Sequence, residues 1–217
     1  MRKRLDIIFE DDDLLIVNKP PGLLTSTVPR EKRPTLLAHV REYLGPRVRL
    51  GLIHRLDRDA RGLLVFSKND LAYKSLKTQF YHHTVDRTYL AVCVGVPTPP
   101  VGDIGLPLIE RADGTVRVSH RGERGERALT HYEIIRTDGK RTLVRLILHT
   151  GRKHQIRAHL AHLGTPVIGD QMYAKPPHNK PPLLLAAVRL GFTHPRNGKP
   201  VLFELPIPSE FDDKVTR

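Results

Sequence analysis

The spacing of short apolar runs constrains the fold of this 217-residue chain more than any other feature of the sequence. Runs rich in aliphatic and β-branched residues recur throughout, and proline or glycine interrupts many of them, which is typical of β-strands. We predict strands over residues 14–18, 62–67, 88–95, 131–137, 143–150, 183–192 and 201–207.

Helical periodicity is confined to three stretches. Thr35 is an expected N-cap for a helix that stops before Gly45, and Asn69 is an expected N-cap for a helix that continues to Phe80. A third helix is predicted from residue 153 to 163. Strands that outnumber helices without strict alternation indicate an α+β fold around a large, mostly antiparallel sheet. No linker is long enough to divide residues 1–217 into separate domains, so we expect a single domain.

The charge balance indicates a polyanionic partner. Lys and Arg number 36 against 23 Asp and Glu, a net charge of +13, and this excess favours nucleic acid over a basic surface that serves only solubility. No apolar run reaches the length of a membrane span and no signal peptide is present, so we expect a cytoplasmic protein without a membrane partner. The only cysteine, Cys93, excludes a disulfide framework or a cysteine-based metal site.

Two polar segments could carry chemistry. In residues 53–62, Asp57 and Asp59 stand among arginines that would keep a carboxylate ionised as a nucleophile or base, although the spacing alone favours a salt-bridged loop. In residues 150–157, Arg152 and Lys153 precede the third helix, whose N-terminus could hold an anion, and the alternative is that both cations face water.

Other candidate residues are weaker. Tyr89 begins an apolar strand, where packing is its more usual role. The histidines lack a zinc-binding pattern, and no nucleotide-binding loop is visible, so we expect neither metal nor cofactor. Residues 110–127 carry several arginines and glycines, and we predict an exposed hairpin or loop that touches RNA or pairs with its own glutamates.

Taken together, the motifs resemble the RluA branch of the RluA/RsuA-type pseudouridine synthases. The blocks that carry the resemblance run from about residue 7 to residue 208 in the family's order, and three of them hold most of the expected site residues. These three are Asn18-Lys19-Pro20-Pro21-Gly22, His54-Arg55-Leu56-Asp57, and Gly151-Arg152-Lys153-His154-Gln155-Ile156-Arg157.

The resemblance implies a fold, an activity and a set of site residues. The fold would be a single catalytic domain with a mixed, mainly antiparallel bent sheet and flanking helices. The activity would be isomerisation of specific uridines to pseudouridine in ribosomal or transfer RNA, by a monomer with no obligatory protein partner. Asp57 would be the catalytic aspartate, Arg152 its partner and Tyr89 the ring that stacks on the uracil. Arg55 would replace the flipped base, and further RNA contacts are expected from His54, Lys19, Lys153 and Arg61.

Two departures from the family pattern stand near these residues. Ala60-Arg61 replaces the usual Thr-Ser pair, which removes two hydroxyls and adds a cation, and Tyr173-Ala174 replaces Tyr-Gly. The catalytic pattern begins within the first ten residues, so we expect no small RNA-binding domain before it. The sequence leaves open which uridine is modified and by which chemical route.

Overall fold

The computed structural model describes residues 5–27 and 33–215. The chain divides into two compact units. The first unit takes the described residues up to Asp86 together with Ala187–Leu205, and the second takes Arg87–Ala186 together with the described residues from Pro206. Ten of the twelve strands in the described residues are assigned to one sheet. The predicted α+β fold with a large, mainly antiparallel sheet is confirmed, while the single domain stays a prediction.

The described elements follow one another in this order: β1 (Ile7–Glu10), β2 (Leu14–Lys19), α1 (Leu36–Leu44), β3 (Gly51–Leu52), β4 (Arg61–Ser67), α2 (Asp70–Tyr81), β5 (Asp86–Val94), β6 (Val101–Ile104), β7 (Leu108–Glu110), β8 (Val116–Val118), β9 (Thr130–Thr137), β10 (Arg141–Leu148), α3 (Gln155–His162), β11 (Leu185–Thr193), β12 (Pro200–Glu204) and α4 (Ser209–Val215).

The first unit is built around β2 and β4. These strands pair antiparallel, and β1, β3 and β12 add antiparallel partners to β2, β4 and β11 respectively. Because β2 and β4 are buried almost throughout, their sequences read as continuous apolar runs and not as alternating ones. Helix α2 packs Ala72 and Leu76 against this core. The predicted N-caps are confirmed, since the side chains of Thr35 and Asn69 accept hydrogen bonds from the backbone N–H groups of residues 38 and 72.

A glycine at the start of β4 permits a close approach of two backbones in the first unit. Gly62 has a φ of +112°, and a Cβ placed there would lie 2.0 Å from the carbonyl oxygen of Ala187. No other residue fits this position without moving a strand. The end of the Asp57 loop is therefore fixed by backbone packing.

The second unit contains the antiparallel order β5–β10–β9–β6 and a separate β7–β8 hairpin. The hairpin packs Leu108, Val116 and Val118 against Ala158 of α3. Residues 110–127 were predicted to form a hairpin or a loop. The hairpin is confirmed for residues 110–118, which contain the end of β7, the turn and β8.

Two differences from the predicted elements have physical causes. Helix α3 begins at Gln155 and not at residue 153, because His154 adopts a left-handed conformation with φ of +51°. The short elements β1, β3, β6 and α4 were not predicted, and β7 and β8 were expected only as a possible hairpin, since two to seven residues are too few to show a clear period. Among the described residues, no helix has the length and hydropathy needed to cross a membrane.

Candidate active site

Asp57 lies in the first unit, on the loop between β3 and β4. Three apolar residues of this loop point into the interior: Ile53, Leu56 and Ala60. The hydroxyl of Thr25 fixes the middle of the loop, because it donates to the carbonyl of Leu56 at 2.8 Å and accepts from its N–H at 3.2 Å. Asp57 itself stays partly exposed. The loop thus holds a carboxylate at the surface of a rigid, buried support.

Lys19 supports the same loop from beneath. Its Nζ donates to the carbonyl oxygens of Pro20, Leu23 and Arg58 at 3.0, 2.7 and 2.9 Å, and its side chain is fully buried. Burial lowers the pKa of Lys19 to about 8, although the charges of Asp57 and Asp59 act in the opposite direction. The RNA contact of Lys19 stays a prediction, and in this structure its ammonium donates to three backbone carbonyls.

His54 and Arg55 differ in their surroundings. The His54 ring stacks on Phe80 with centroids 4.7 Å apart, and its Nε2 accepts a hydrogen bond from the N–H of Val65 at 3.3 Å. This acceptor role places the proton of the neutral ring on Nδ1. Arg55 is exposed. Arg61, the first residue of β4, is partly exposed. The RNA contacts of His54, Arg55 and Arg61 stay predictions.

Tyr89 lies in the second unit on β5, and its side chain is largely buried. Arg87 precedes it by two residues, so both side chains project from the same face of the strand. The Arg87 guanidinium donates to the carbonyl of Leu148 at 3.3 Å, and burial lowers its pKa. A Cβ at Gly151 would lie 2.6 Å from this guanidinium. Arg87 was not singled out from the sequence. Its position two residues before Tyr89 in a predicted strand would have placed both side chains on one face.

The two cations that precede α3 are paired within the second unit. Arg152 forms an ion pair with Glu126 at 2.7 Å and donates to the carbonyl of Arg127 at 3.1 Å. Lys153 forms an ion pair with Glu110. Both cations of the predicted anion site at this helix start therefore pair with protein carboxylates. The pairing of Arg152 with Asp57 and the RNA contact of Lys153 stay predictions.

A different arginine of the same motif is buried. Arg157 binds both carboxylate oxygens of Asp170, at 2.7 and 2.9 Å, and its guanidinium lies 5.2 Å from the centre of the Tyr173 ring. Asp170 is fully buried. Sequence reasoning did not single out Arg157, and only the Gly-Asp pair at residues 169–170 signals its partner.

Several of the described histidines form hydrogen bonds within the protein. Both ring nitrogens of buried His159 are engaged, with the Thr130 hydroxyl and the Leu106 carbonyl, each at 2.9 Å. Elsewhere Asp11, Asp13 and His194 bring ligand atoms within 4.8 Å of one another. However, both oxygens of Asp13 accept from Arg196, at 2.6 and 2.7 Å, and His194 bonds to Asp11 at 2.8 Å. This group is an ion-pair network whose ligand atoms are already used.

Comparison with known protein families identifies the family to which the chain belongs. Residues 13–162 match the sequence model of the RNA pseudouridylate synthase family, and this span holds more than half of the chain. The chain belongs to the RNA pseudouridylate synthase family. The match contains the Asp57 loop, Tyr89 and the Arg152–Arg157 motif. The protein is thus an RNA pseudouridine synthase, an isomerase that converts uridine to pseudouridine in RNA.

Relatives of this pseudouridine synthase cover nearly its whole length. It is 39% identical over 220 residues to the uncharacterized RNA pseudouridine synthase YlyB of Bacillus subtilis, covering 97% of this chain and 72% of that protein. It is 34% identical over 223 residues to the ribosomal large subunit pseudouridine synthase D of Zymomonas mobilis, covering 95% of this chain and 70% of that protein.

Two solved structures support the fold of this pseudouridine synthase. Human RNA pseudouridylate synthase domain containing 1 superposes with a TM-score of 0.79 at 24% identity, over 95% of this chain and 84% of the human chain. Human RNA pseudouridylate synthase domain containing 4 gives a TM-score of 0.76, also at 24% identity, over 95% of this chain and 90% of the human one.

Proposed function

We propose that this pseudouridine synthase modifies ribosomal RNA with Asp57 as its catalytic carboxylate. Two relatives that are each 34% identical, from Zymomonas mobilis and Haemophilus ducreyi, are named ribosomal large subunit pseudouridine synthase D. The net charge of +13 suits a large structured RNA, because every phosphate contact adds attraction. Transfer RNA is the second candidate substrate.

The observation that carries the role of Asp57 is the support of its loop. Thr25 binds both backbone groups of Leu56, and Lys19 binds the carbonyl of Arg58, so both neighbours of Asp57 are fixed. A carboxylate held in this way loses little freedom when it meets a ribose, which is what a preorganised catalytic group requires.

The reaction needs one carboxylate and no change in oxidation state. The bond between C1′ and N1 breaks, the uracil turns, and a bond forms between C1′ and C5. The proton lost from C5 is balanced by one gained at N1. Asp57 either attacks C1′ as a nucleophile or removes a ribose proton, and its ionised form serves both routes. We retain both.

The target base has to leave the RNA stack before Asp57 can reach its sugar. We assign Arg55 to the space left by the flipped base, and its exposed position on the Asp57 loop supports this role. Tyr89 is assigned to stacking on the uracil. Arg152 is assigned to the Asp57 carboxylate, and its present ion pair with Glu126 is exposed.

The test of Asp57 uses a neighbouring carboxylate as control. Asp57→Asn should abolish tritium release from C5-labelled uridine in RNA, while RNA affinity changes by no more than a few-fold. Asp59→Asn is the matched variant, because Asp59 is in the same loop and pairs with Arg58 at 3.1 Å. Substantial activity of Asp57→Asn would refute the catalytic assignment. Mapping pseudouridines in ribosomal and transfer RNA from cells without the protein identifies the substrate.

A further inference from the structure

The exposed end of α2 carries aromatic side chains that lie outside the family motifs quoted above. Tyr81 is the last residue of the helix, and 78% of it is exposed. Its ring meets the ring of His82 edge to face, with centroids 5.1 Å apart and planes at 84°. Aromatic rings usually stabilise a protein through burial. Burial does not account for this ring.

Two lysines continue the same face of α2. Lys74, Lys77 and Tyr81 stand at positions i, i+3 and i+7, so their side chains follow one another along one side of the helix. Both lysines are exposed. Asp70, one turn before Lys74, is neutralised by an ion pair with Arg49. The face therefore presents two positive charges that lead to an exposed ring.

The end of α2 keeps a histidine where glycine is usual. The N–H of Thr84 donates to the carbonyl of Gln79 and the N–H of His83 donates to that of Phe80, the bonding pattern of a helix that ends with a left-handed residue. His83 occupies the left-handed position with φ of +57°. A residue with a Cβ is disfavoured there. The backbone conformation at position 83 is therefore less favourable with histidine than it would be with glycine.

This face adjoins the loop that carries Asp57, within the same unit. Lys77 Nζ donates to the carbonyl of Ile53 at 3.4 Å, and Phe80 stacks on His54. Ile53 and His54 lead directly into Arg55 and Asp57. A nucleic acid that follows the helix face therefore passes close to the proposed catalytic carboxylate.

We propose that the α2 surface, defined as Lys74, Lys77, Tyr81, His82 and His83, binds a single-stranded segment of the RNA substrate beside the target uridine. The lysines contact phosphates, and an unpaired base stacks on Tyr81. Base faces are accessible in single strands and are covered in a duplex, so the surface selects unpaired nucleotides. The position of the target uridine rests on the proposed function, but binding to this surface requires no turnover.

The binding test uses fluorescence anisotropy with a labelled single-stranded oligouridylate of about twelve nucleotides, a length that spans a typical single-strand site. Tyr81→Ala should weaken binding by roughly five- to a hundred-fold, which corresponds to the loss of one stacked base. Tyr81→Phe keeps the ring and should bind within about two-fold of the wild type. Tyr43→Ala is the matched control, since Tyr43 is also in the first unit and is 52% exposed.

The lysines and the site of contact are tested separately. Lys74→Gln with Lys77→Gln should lower the slope of log affinity against log salt by about 1.4, or about 0.7 for each lost phosphate contact. Photocrosslinking to an oligonucleotide that contains 5-iodouridine should label Tyr81, in the tryptic peptide of residues 78–87.

The outcomes separate this inference from the proposed function. All binding measurements are repeated in the Asp57→Asn background, where no turnover occurs. Equal binding by Tyr81→Ala and the wild type, with crosslinks elsewhere, would overturn the α2 surface even if the enzyme is active. Conversely, an Asp57 variant that remains active refutes the catalytic assignment without affecting the binding result. Thermal unfolding of each variant verifies that the exposed substitutions leave the fold intact.

Discussion

Lys19→Met tests how the buried ammonium stabilises the Asp57 loop. The substitution keeps an unbranched side chain of similar length but removes the donor for the three carbonyls that Lys19 binds. Leaving these three partly buried carbonyls without a donor costs about 2 kcal/mol each. Removing the buried charge regains about 3 kcal/mol, the equivalent of lowering the pKa from 10.5 to about 8. We expect a net loss of about 3 kcal/mol at pH 7.

The pH dependence of this loss gives the sharper test. Below pH 8 both the folded and the unfolded wild type hold the Lys19 proton, so this group adds no pH dependence. Between pH 8 and 10.5 the folded protein releases the proton while the unfolded chain keeps it, and the wild type therefore gains stability as pH rises. The gain is about 1 kcal/mol at pH 9 and roughly 2 to 3 kcal/mol at pH 10. Lys19→Met lacks it.

The assay is urea unfolding of the wild type and Lys19→Met at pH 7, 8, 9 and 10. Other titrating groups act equally in both proteins, so only the difference between the two unfolding free energies is analysed. That difference should widen above pH 8. Lys199→Met, at an exposed lysine of the same unit, should show a constant difference from the wild type. A constant difference for Lys19→Met as well would refute the buried-ammonium argument.

Two further predictions concern the second unit. Cys93 is fully buried, and burial raises its pKa to about 12, so iodoacetamide should leave the folded enzyme unlabelled and fully active, as mass spectrometry and tritium release can verify. In the 110–127 segment, Arg117 binds Glu123 through two bonds and holds the pKa of Glu123 at about 2, whereas Arg121 and Arg124 are exposed. Replacing both Arg121 and Arg124 with glutamine should reduce the salt dependence of RNA binding by a slope of about 1.4 to 1.8, while Arg117→Gln should change it little. An unchanged slope in the double variant would leave the alternative of a loop that pairs only with itself.

The elements that sequence predicted well are those whose local signals agree with their packing. Residues 14–18 and 62–67 are continuous apolar runs because β2 and β4 are covered on both faces. Helix α2 was predicted with its cap because the signals are local. Asn69 bonds to the N–H of Ala72 three residues on, and the buried residues Ala72 and Leu76 are one helical turn apart. By contrast, the start of α3 depends on the left-handed backbone of His154, which no propensity indicates.

The candidate site also contains one part that the sequence indicates and one part that only the fold shows. The Asp57 loop was found from its charge pattern, since arginines and carboxylates concentrated before a buried strand are visible in the sequence. The role of Lys19 was not, because one of its acceptors is the carbonyl of Arg58, 39 residues away. A lysine is usually exposed, and only the folded chain shows that this one is enclosed.

The two arginines of the 150–157 motif have different roles in the structure, and the motif alone does not show which of them is structural. Arg152 and Arg157 are both long, charged and part of one short block, yet Arg152 pairs with an exposed glutamate and Arg157 pairs with a fully buried aspartate. A buried cation that loses its partner leaves an uncompensated charge, whereas an exposed pair contributes little to stability. Arg152 can therefore exchange Glu126 for another anion at small cost, as a group that meets a substrate or a catalytic carboxylate must. Arg157 is bound to Asp170 by two hydrogen bonds and fixes α3 to the Gly169-Asp170 turn.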